Sequence, residues 1–263
     1  MSEPLYLVDS FTTEAFAGNP AGVVVLTTAR EERWMQRVAA EVNQAETAFL
    51  VPQRDGFDLR WFTPTVEVDL CGHATLGSAH ILWEQGHLSR DQEARFHTRS
   101  GLLKASPDSG WITLDFPATP PTPCEAPAGL LASLGLSGGS VFRTRFDYLV
   151  SIESADELRG LEPDLATVKR FDVRGVIVTT ASDRPDADFM SRFFAPRAGV
   201  NEDPVTGSAH CALAPYWAER LGRKRLTGYQ ASPRGGFVRV EHAGDRVLLS
   251  GKAVTIYKAT LAV

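Results

Sequence analysis

One stretch of this 263-residue chain occurs twice, and the repeat predicts the fold. The first copy, residues 60–75, reads RWFTPTVEVDLCGHAT, and the second, residues 192–210, reads RFFAPRAGVNEDPVTGSAH. Arg, Phe and Pro recur 132 positions apart, whereas the pairs Gly72-His73 and Gly207-Ser208 lie 135 positions apart, so the second copy has three additional residues. Each copy is typical of a strand that ends at a proline, an acidic loop, and a glycine that begins an apolar helix. A repeat of this length is too long for a solenoid and predicts two similar domains.

Composition and charge narrow the class of protein. Apolar residues make up 43% of the chain and charged residues 22%, as in ordinary globular proteins. A net charge of −5 indicates no basic face, so we predict no nucleic-acid partner. No apolar run approaches the ~18 residues of a membrane span, and residues 1–11 lack a signal-peptide core, which together predict a cytoplasmic protein without a membrane partner. The three cysteines have no CxxC spacing and predict neither a disulfide framework nor a zinc site.

The pattern along the chain predicts an α+β fold built from two halves. Apolar helices are expected at residues 72–84 and 207–221, the second kinked by Pro215, and short β-rich segments surround each helix. One of these segments, residues 142–152, is predicted to be a single strand. We assign residues 1–116 to the N-terminal half, residues 117–127 to a Pro-rich linker, and residues 128–263 to the C-terminal half, whose last strand is free to return to the first half.

Two glycines begin the predicted helices. Exposed backbone N–H groups and the positive end of the helix dipole at Gly72 and Gly207 suit a carboxylate or another anion. The alternative is that both glycines only permit the turn from loop to helix. Because the feature is duplicated, the two interpretations are about equally supported.

Four polar side chains near these segments are candidates for acid–base chemistry. Glu46 directly precedes an apolar strand, where desolvation raises the pKa of a carboxyl group toward the range useful for proton transfer; an exposed strand-end acid fits equally well. His73 fits either a proton relay or a capping or core histidine. Asp203, in a loop with Glu202, fits either a substrate-facing carboxylate hydrogen-bonded to Ser208 or a helix-capping acid.

Cys71 directly precedes the first helix glycine. A thiol beside a helix N-terminus has a lowered pKa and could itself abstract a proton, whereas a small buried cysteine is the commoner case. Cys124 and Cys211 are interpreted as structural.

Six short motifs occur in order along nearly the whole chain: Asp9-Ser10-Phe11, Gly18-Asn19-Pro20, Asn43-Gln44-Ala45-Glu46-Thr47, Phe62-Thr63-Pro64, Cys71-Gly72-His73-Ala74-Thr75 and Glu202-Asp203-Pro204-Val205-Thr206-Gly207-Ser208-Ala209. Together they resemble the phenazine biosynthesis PhzF-like family. The resemblance implies a diaminopimelate epimerase-like fold, with two pseudo-symmetric halves that are each a mixed β-barrel wrapped around a central helix, and a site in the cleft. It also implies a cofactor-independent isomerase that forms a homodimer.

The resemblance carries roles onto particular residues. In the phenazine enzyme a glutamate moves a proton between carbons of a dihydro-hydroxyanthranilate, and by motif that glutamate corresponds to Glu46. His73, Asp203 and Ser208 correspond to its partners at the site. Backbone N–H groups of that family bind the substrate at the positions of Gly72 and Gly207. The further candidates for substrate binding are Gly18, Asn19, Arg234 and Gly235.

One departure keeps two alternatives open. Cysteine-dependent epimerases of this fold place a thiol before each helix glycine, whereas this chain has Cys71 in the first position and Thr206 in the second. A Cys/Thr pair resembles the hydroxyproline dehydratase branch of the proline racemase relatives. We therefore predict a cofactor-free and metal-free isomerase acting on a small carboxylate-bearing substrate. The alternatives are a Cys71-dependent epimerase, racemase or hydroxyproline-type dehydratase, and a non-catalytic ligand-binding or interaction module.

Overall fold

The computed structural model describes residues 3–263, and these divide into two compact units. The first unit comprises the residues up to Asp115 together with Ser250–Val263, and the second comprises Phe116–Leu249. The Pro-rich segment 117–127, predicted to be a linker, lies within the second unit. The last strand, Ala253–Leu261, belongs to the first unit.

The first unit is a mixed β-sheet with two helices. Numbered along the chain, its strands are β1 (Glu3–Ser10), β2 (Asn19–Val25), β3 (Glu46–Gln53), β4 (Gly56–Phe62), β5 (Glu67–Val68), β6 (Ala94–Thr98), β7 (Gly101–Asp108), β8 (Trp111–Pro117) and β17 (Ala253–Leu261). Its helices are α1 (Glu32–Val42) and α2 (Gly72–Glu84). Strand β1 is antiparallel to both β17 and β2, and the sheet continues through β3, β4, β6, β7 and β8, with β5 paired to β4.

The second unit is also a mixed sheet with helices. Its strands are β9 (Thr122–Pro123), β10 (Ser140–Arg143), β11 (Asp147–Ser151), β12 (Gly175–Ala181), β13 (Phe189–Phe194), β14 (Arg225–Gln230), β15 (Gly236–Ala243) and β16 (Arg246–Gly251). The last two residues of β8 are counted with the second unit, and the last two residues of β16 with the first. Its α-helices are α3 (Leu130–Ser133), α4 (Ala155–Arg159), α5 (Leu165–Val168) and α6 (Gly207–Leu221), and a 3-10 turn covers Pro196–Ala198.

The two units repeat one order of strand pairing. In the first, the contacts from β1 to β7 alternate antiparallel, parallel, antiparallel, parallel, antiparallel. In the second, the contacts from β10 to β15 follow the same alternation. The long apolar helix lies at the same point of each series, between β4 and β6 and between β13 and β14. The predicted α+β class and the predicted duplication are therefore confirmed.

Each long helix is buried within its own unit. Helix α2 packs against β1, β2, β3, β7 and β17, and 10 of its 13 residues are buried. Helix α6 packs against β14 and β15, and 11 of its 15 residues are buried, including Pro215. Both helices begin and end where the sequence pattern predicts, because a glycine opens each apolar run. Helix α2 ends at Glu84, and α6 ends at Leu221 before Gly222, which adopts a left-handed conformation (φ 63°) as the C-cap. Within residues 3–263, none of the helices has both the length and the hydropathy required to cross a bilayer.

The single strand predicted for residues 142–152 is wrong. Strands β10 and β11 form a hairpin that turns at Thr144. The Thr144 hydroxyl accepts hydrogen bonds from the backbone N–H groups of Phe146 and Asp147, at 3.1 and 2.8 Å. A threonine hydroxyl that bonds to backbone N–H groups two and three residues ahead stabilises a turn, so the chain folds back at Thr144 instead of continuing as one strand.

A bidentate ion pair is duplicated with the sheet. In β4, Arg60 donates from Nε and Nη2 to the two carboxylate oxygens of Glu67, at 2.7 and 2.5 Å. In β13, Arg192 donates in the same way to Glu202, at 2.7 and 2.8 Å. The recurring arginines of the sequence repeat therefore hold the acidic loop that precedes each long helix. Glu202 has a structural partner, whereas its neighbour Asp203 lies in a different network.

Candidate active site

Glu46 lies at the first position of β3, where the chain leaves α1. The helix ends at Asn43, which adopts a left-handed conformation (φ 51°) as its C-cap. Strand β3 then runs parallel to β2, with Glu46 opposite Ala21. The four residues that follow Glu46 are buried, and its own side chain is only 17% exposed. The carboxylate is thus held at the edge of an apolar strand with limited access to solvent.

Glu46, Cys71 and His73 form a cluster in the first unit. A carboxylate oxygen of Glu46 lies 3.3 Å from Nε2 of His73. The Cys71 thiol lies 3.5 Å from the other ring nitrogen, Nδ1. Gly72, the first residue of α2, lies between the N-cap Cys71 and His73 in sequence, so the structure brings four of the predicted site residues together at this helix N-terminus.

His73 is neutral at physiological pH. It is buried, and desolvation lowers the pKa of its imidazole to about 4. The contact with Glu46 is therefore not an ion pair while the imidazole is neutral. Where Glu46 is ionised, its carboxylate only accepts hydrogen bonds, so Nε2 donates to Glu46 and Nδ1 accepts from the Cys71 thiol. The imidazole orients both neighbouring groups.

A second buried histidine lies in α6. Desolvation lowers the pKa of His210 to about 4, and its Nδ1 donates to the backbone oxygen of Thr206 at 2.8 Å. In the unfolded chain both histidines titrate near 6.5, so between pH 6.5 and 4 the unfolded chain binds protons that the folded chain does not. The contribution of the neutral histidines to stability is complete above about pH 6.5 and is lost as the pH falls toward 4.

We therefore expect the free energy of unfolding to fall between pH 7 and pH 4.5, by up to roughly 3 kcal/mol for each of the two histidines. Urea denaturation at closely spaced pH values measures this slope. The matched variant His210→Gln keeps a buried polar side chain without the titration, so its slope should be shallower than that of the wild type. An unchanged slope in His210→Gln would contradict the assignment.

In the second unit, Asp203 belongs to a network around Thr206. The Thr206 hydroxyl donates to a carboxylate oxygen of Asp203 at 2.5 Å. Gln230, fully buried in β14, accepts from the Thr206 backbone N–H at 2.8 Å and donates to the backbone oxygen of Asp203 at 2.6 Å. Thr206 occupies the N-cap position of α6 without capping it through its side chain. The hydroxyl is held toward the acidic loop.

Ser208, one residue inside α6, is bonded to an arginine that the sequence analysis missed. Arg174 donates from Nη1 to the Ser208 hydroxyl at 2.8 Å. The same guanidinium forms a bidentate pair with Asp147, which is 2% exposed. Burial raises the pKa of the Asp147 carboxyl, and the neighbouring Arg174 opposes that shift. Because Ser208 accepts from Arg174, its own proton is directed to another acceptor.

Two other predicted positions are constrained by backbone geometry. Gly18 has φ 66°, and a Cβ there would lie 2.2 Å from the backbone oxygen of Ser10. Gly235 has φ 64°, and a Cβ there would lie 2.3 Å from the Tyr229 hydroxyl. Both positions thus require glycine for folding, whatever else they do. Asn19, next to Gly18, is fully buried and pairs with Ser10 across β1 and β2.

The loop of Arg234 and Gly235 joins the Asp203 loop in the second unit. Ser232 donates to the backbone oxygen of Pro204 at 2.8 Å and accepts from the Gly235 N–H at 3.1 Å. Arg234 is partly exposed in this loop. The structure thus groups Asp203, Gly207, Ser208, Arg234 and Gly235 within one unit, as it groups Glu46, Cys71, Gly72 and His73 in the other.

Sequence reasoning could not find Arg174 or Gln230. Each lies in or beside a strand far along the chain from the residue that it contacts, 34 positions from Ser208 and 24 from Thr206. Neither carries a local motif. The available signal for Gln230 was one polar residue at a position where the alternation of β14 predicts burial.

The other two thiols, Cys211 and Cys124, lie outside the cluster of Glu46, Cys71 and His73. Cys211, in α6, is buried, and desolvation raises the pKa of its thiol to about 12. A thiol in that state is not a nucleophile at physiological pH. Cys124 is partly buried and packs on the core of the second unit.

Comparison with known proteins identifies the family of the chain. The family model described as phenazine biosynthesis-like protein matches residues 8–259. An uncharacterized isomerase of Halalkalibacterium halodurans is 52% identical over 262 residues, covering 99% of each chain. The crystal structure of a phenazine biosynthesis protein of the PhzF family from Enterococcus faecalis superposes with a TM-score of 0.96 at 39% identity, over 100% of both chains.

A more distant likeness concerns the fold alone. A hydroxyproline epimerase from Agrobacterium vitis is 12% identical, with a TM-score of 0.63 over 99% of this chain and 92% of that one. The chain is therefore an isomerase with an epimerase-type α+β fold, and it belongs to the phenazine biosynthesis-like protein family.

Proposed function

We propose that the isomerase moves a proton between two carbons of a small carboxylate-bearing substrate, without a cofactor, and that Glu46 is its general acid and base. The observation that supports this proposal is the 3.3 Å contact between the Glu46 carboxylate and Nε2 of a neutral, buried His73. A carboxylate oriented in this way takes a proton from an acidified C–H bond and returns it at another carbon. The substrate gains and loses one proton, so the reaction is an isomerisation and needs no redox partner.

The substrate's carboxylate is proposed to bind at a helix N-terminus. Neither Cys71 nor Thr206, the N-cap residues of α2 and α6, caps its helix with its side chain. The first backbone N–H groups of such a helix favour an anion, and the helix dipole adds to this preference. The Ser208 hydroxyl, which accepts from Arg174, has its proton available for an anionic oxygen. We assign Ser208 and Asp203 to substrate positioning.

The same contacts favour Glu46 over Cys71 as the base. For Cys71 to abstract a proton, its thiol must first ionise, and His73 is the adjacent acceptor at 3.5 Å. Burial disfavours the imidazolium that this transfer would create, as the His73 pKa of about 4 indicates. A two-thiol racemase is further disfavoured because Thr206 occupies the second position and its hydroxyl donates to Asp203.

Proton NMR in D2O tests the proposal with wild type and Cys71→Ala side by side. The panel contains small cyclic and amino carboxylates, including the dihydro-hydroxyanthranilate that the family resemblance implies. We expect deuterium to enter one carbon position with both proteins, at rates within roughly tenfold of each other, because the Glu46–His73 pair remains in the variant.

The contrary outcomes are distinct. Loss of exchange in a folded Cys71→Ala protein would assign the base to the thiol and revive the epimerase or dehydratase alternative. Binding of a panel member without any exchange, at protein concentrations equal to the substrate, would favour a ligand-binding module. Thermal denaturation of the variant, compared with the wild type, verifies that it is folded.

A further inference from the structure

Three different metal-ligating groups converge at the start of α2. One oxygen of Glu46, Sγ of Cys71 and a ring nitrogen of His73 all lie within 4.8 Å of one another. Among the side chains of residues 3–263, this is the one group of at least three His, Cys, Asp or Glu residues whose ligand atoms are close enough together to hold a metal ion. The cysteine spacing in the sequence predicted no zinc site. Two of the ligands are the N-cap and the second residue of α2, and the third is Glu46, which lies 25 residues before Cys71 at the start of β3.

The distances within the cluster suit a tetrahedral metal ion. Nε2 of His73 lies 3.3 Å from the Glu46 oxygen and 3.9 Å from the Cys71 sulfur. With Zn–N and Zn–O bonds of about 2.1 Å and a Zn–S bond of about 2.3 Å, tetrahedral ligand atoms lie about 3.4–3.6 Å apart. The N–O pair is close to that separation, and the sulfur needs to approach Nε2 by a few tenths of an ångström. The sulfur and the Glu46 oxygen lie within 4.8 Å of each other.

The backbone of both helix ligands is held by hydroxyl groups. Thr75 donates from its hydroxyl to the backbone oxygen of Cys71 at 2.6 Å, and Ser10 donates to the backbone oxygen of His73 at 2.8 Å. Both ligand side chains are buried, whereas Glu46 is partly exposed and provides access for an ion. Groups that orient the first ligands strengthen a metal site.

The ligand types select among metals. Magnesium and calcium prefer sites made of oxygen ligands, whereas a thiolate with an imidazole and a carboxylate suits zinc. Three protein ligands leave the fourth tetrahedral position for water. When the ion binds, the Cys71 thiol loses its proton to solvent and the His73 proton moves from Nε2 to Nδ1, so that all three groups coordinate in their metal-binding forms.

We propose that Glu46, Cys71 and His73 bind one Zn²⁺ ion, and that bound Zn²⁺ inhibits the isomerase. Inhibition rests on the proposed role of Glu46, since a carboxylate coordinated to the ion cannot accept a proton from a substrate carbon. Binding does not rest on that role. The two parts are therefore tested by separate measurements.

Cobalt(II) serves as the spectroscopic probe for binding. Added to the metal-free wild type, one equivalent of Co²⁺ should produce a thiolate-to-cobalt charge-transfer band in the near ultraviolet and intense visible bands of tetrahedral Co²⁺, both displaced by one equivalent of Zn²⁺. The charge-transfer band should be lost in Cys71→Ser and retained in the matched control Cys124→Ser, whose thiol lies in the other unit. Its absence in the wild type, or its persistence in Cys71→Ser, would overturn the site.

X-ray absorption at the zinc edge needs no variant and removes any question of folding. The wild type with one equivalent of Zn²⁺ should show one sulfur at about 2.3 Å and nitrogen or oxygen neighbours at about 2.0–2.2 Å. A first shell without sulfur would contradict the site.

Inhibition is measured by the deuterium exchange assay. Zn²⁺ at ten times its Kd should lower the exchange rate about tenfold, and a chelator should restore it. Unchanged exchange in protein with zinc bound would refute the inhibitory part alone. If no substrate of the panel exchanges, the proposed function fails, and the cobalt and absorption spectra still decide the metal site.

Discussion

Replacement of Glu46 by Gln is expected to lower the rate of proton exchange by roughly 10²–10⁴-fold, which is the usual contribution of a positioned general base. The amide has nearly the volume of the carboxylate and can still contact Nε2 of His73, which lies 3.3 Å away in the wild type. It cannot accept a proton from carbon. Because the substitution removes the charge of the side chain but keeps its size and shape, kcat should fall while KM changes little.

The measurement is single-substrate exchange in D2O, with Glu41→Gln as the matched control. Glu41 is exposed on α1, five residues before Glu46. Its replacement by Gln removes the same charge from the same region of the chain. Glu41→Gln should exchange at the wild-type rate. Exchange at the wild-type rate by a folded Glu46→Gln protein would contradict the assignment of Glu46 as the general base.

Replacement of Arg192 by Met is expected to lower the free energy of unfolding by about 3–5 kcal/mol, as when one partner of a buried ion pair is removed. The side chains of Arg192 and Glu202 are 10% and 18% exposed. Besides the bidentate pair, Nη1 of Arg192 donates to the backbone oxygen of Leu161 at 2.8 Å. Met fills a similar volume but leaves the Glu202 carboxylate and this carbonyl without their donor.

Urea denaturation measures this loss, and hydrogen exchange locates it in the second unit. The matched control is Arg60→Met, at the equivalent position of the first unit. The free energy of unfolding should fall less in Arg60→Met than in Arg192→Met, because Arg60 is 30% exposed and Arg99 also pairs with Glu67 at 2.6 Å. The double variant Arg192→Met with Glu202→Leu should recover part of the stability, since no unpaired charge remains. A loss below about 1 kcal/mol for Arg192→Met would contradict a structural role.

Arg60 and Arg192 occupy equivalent positions of the sequence repeat and form equivalent ion pairs in the structure. The repeat identified both arginines, but their role depends on Glu67 and Glu202, which the alignment of landmarks did not single out. The structure pairs each arginine with an acid in the segment between its strand and the long helix: Arg60 with Glu67, in β5, and Arg192 with Glu202. In the second unit the two adjacent acids therefore have different hydrogen-bond partners: Glu202 binds Arg192, and Asp203 binds Thr206.

Local patterns determined much of the architecture. The starts of α2 and α6 at Gly72 and Gly207 follow from a glycine ahead of a continuous apolar run, and the duplication follows from the spacing of the landmarks. The error at residues 142–152 also has a local cause. Most residues of this segment favour strands, and the residue that stabilises the turn, Thr144, is itself common within strands.

The sequence by itself determined the α+β class, the doubled unit, the two helix N-termini and the set of polar residues near them, because periodicity and capping act over a few residues. Only the tertiary structure decided which of those residues meet. Strand β3 brings Glu46 to His73, and the strands of the second unit bring Arg174 to Ser208 and Gln230 to Thr206. Pairing between strands joins residues that are far apart along the chain, and burial in the resulting core makes His73 neutral. Neither effect is visible in local sequence.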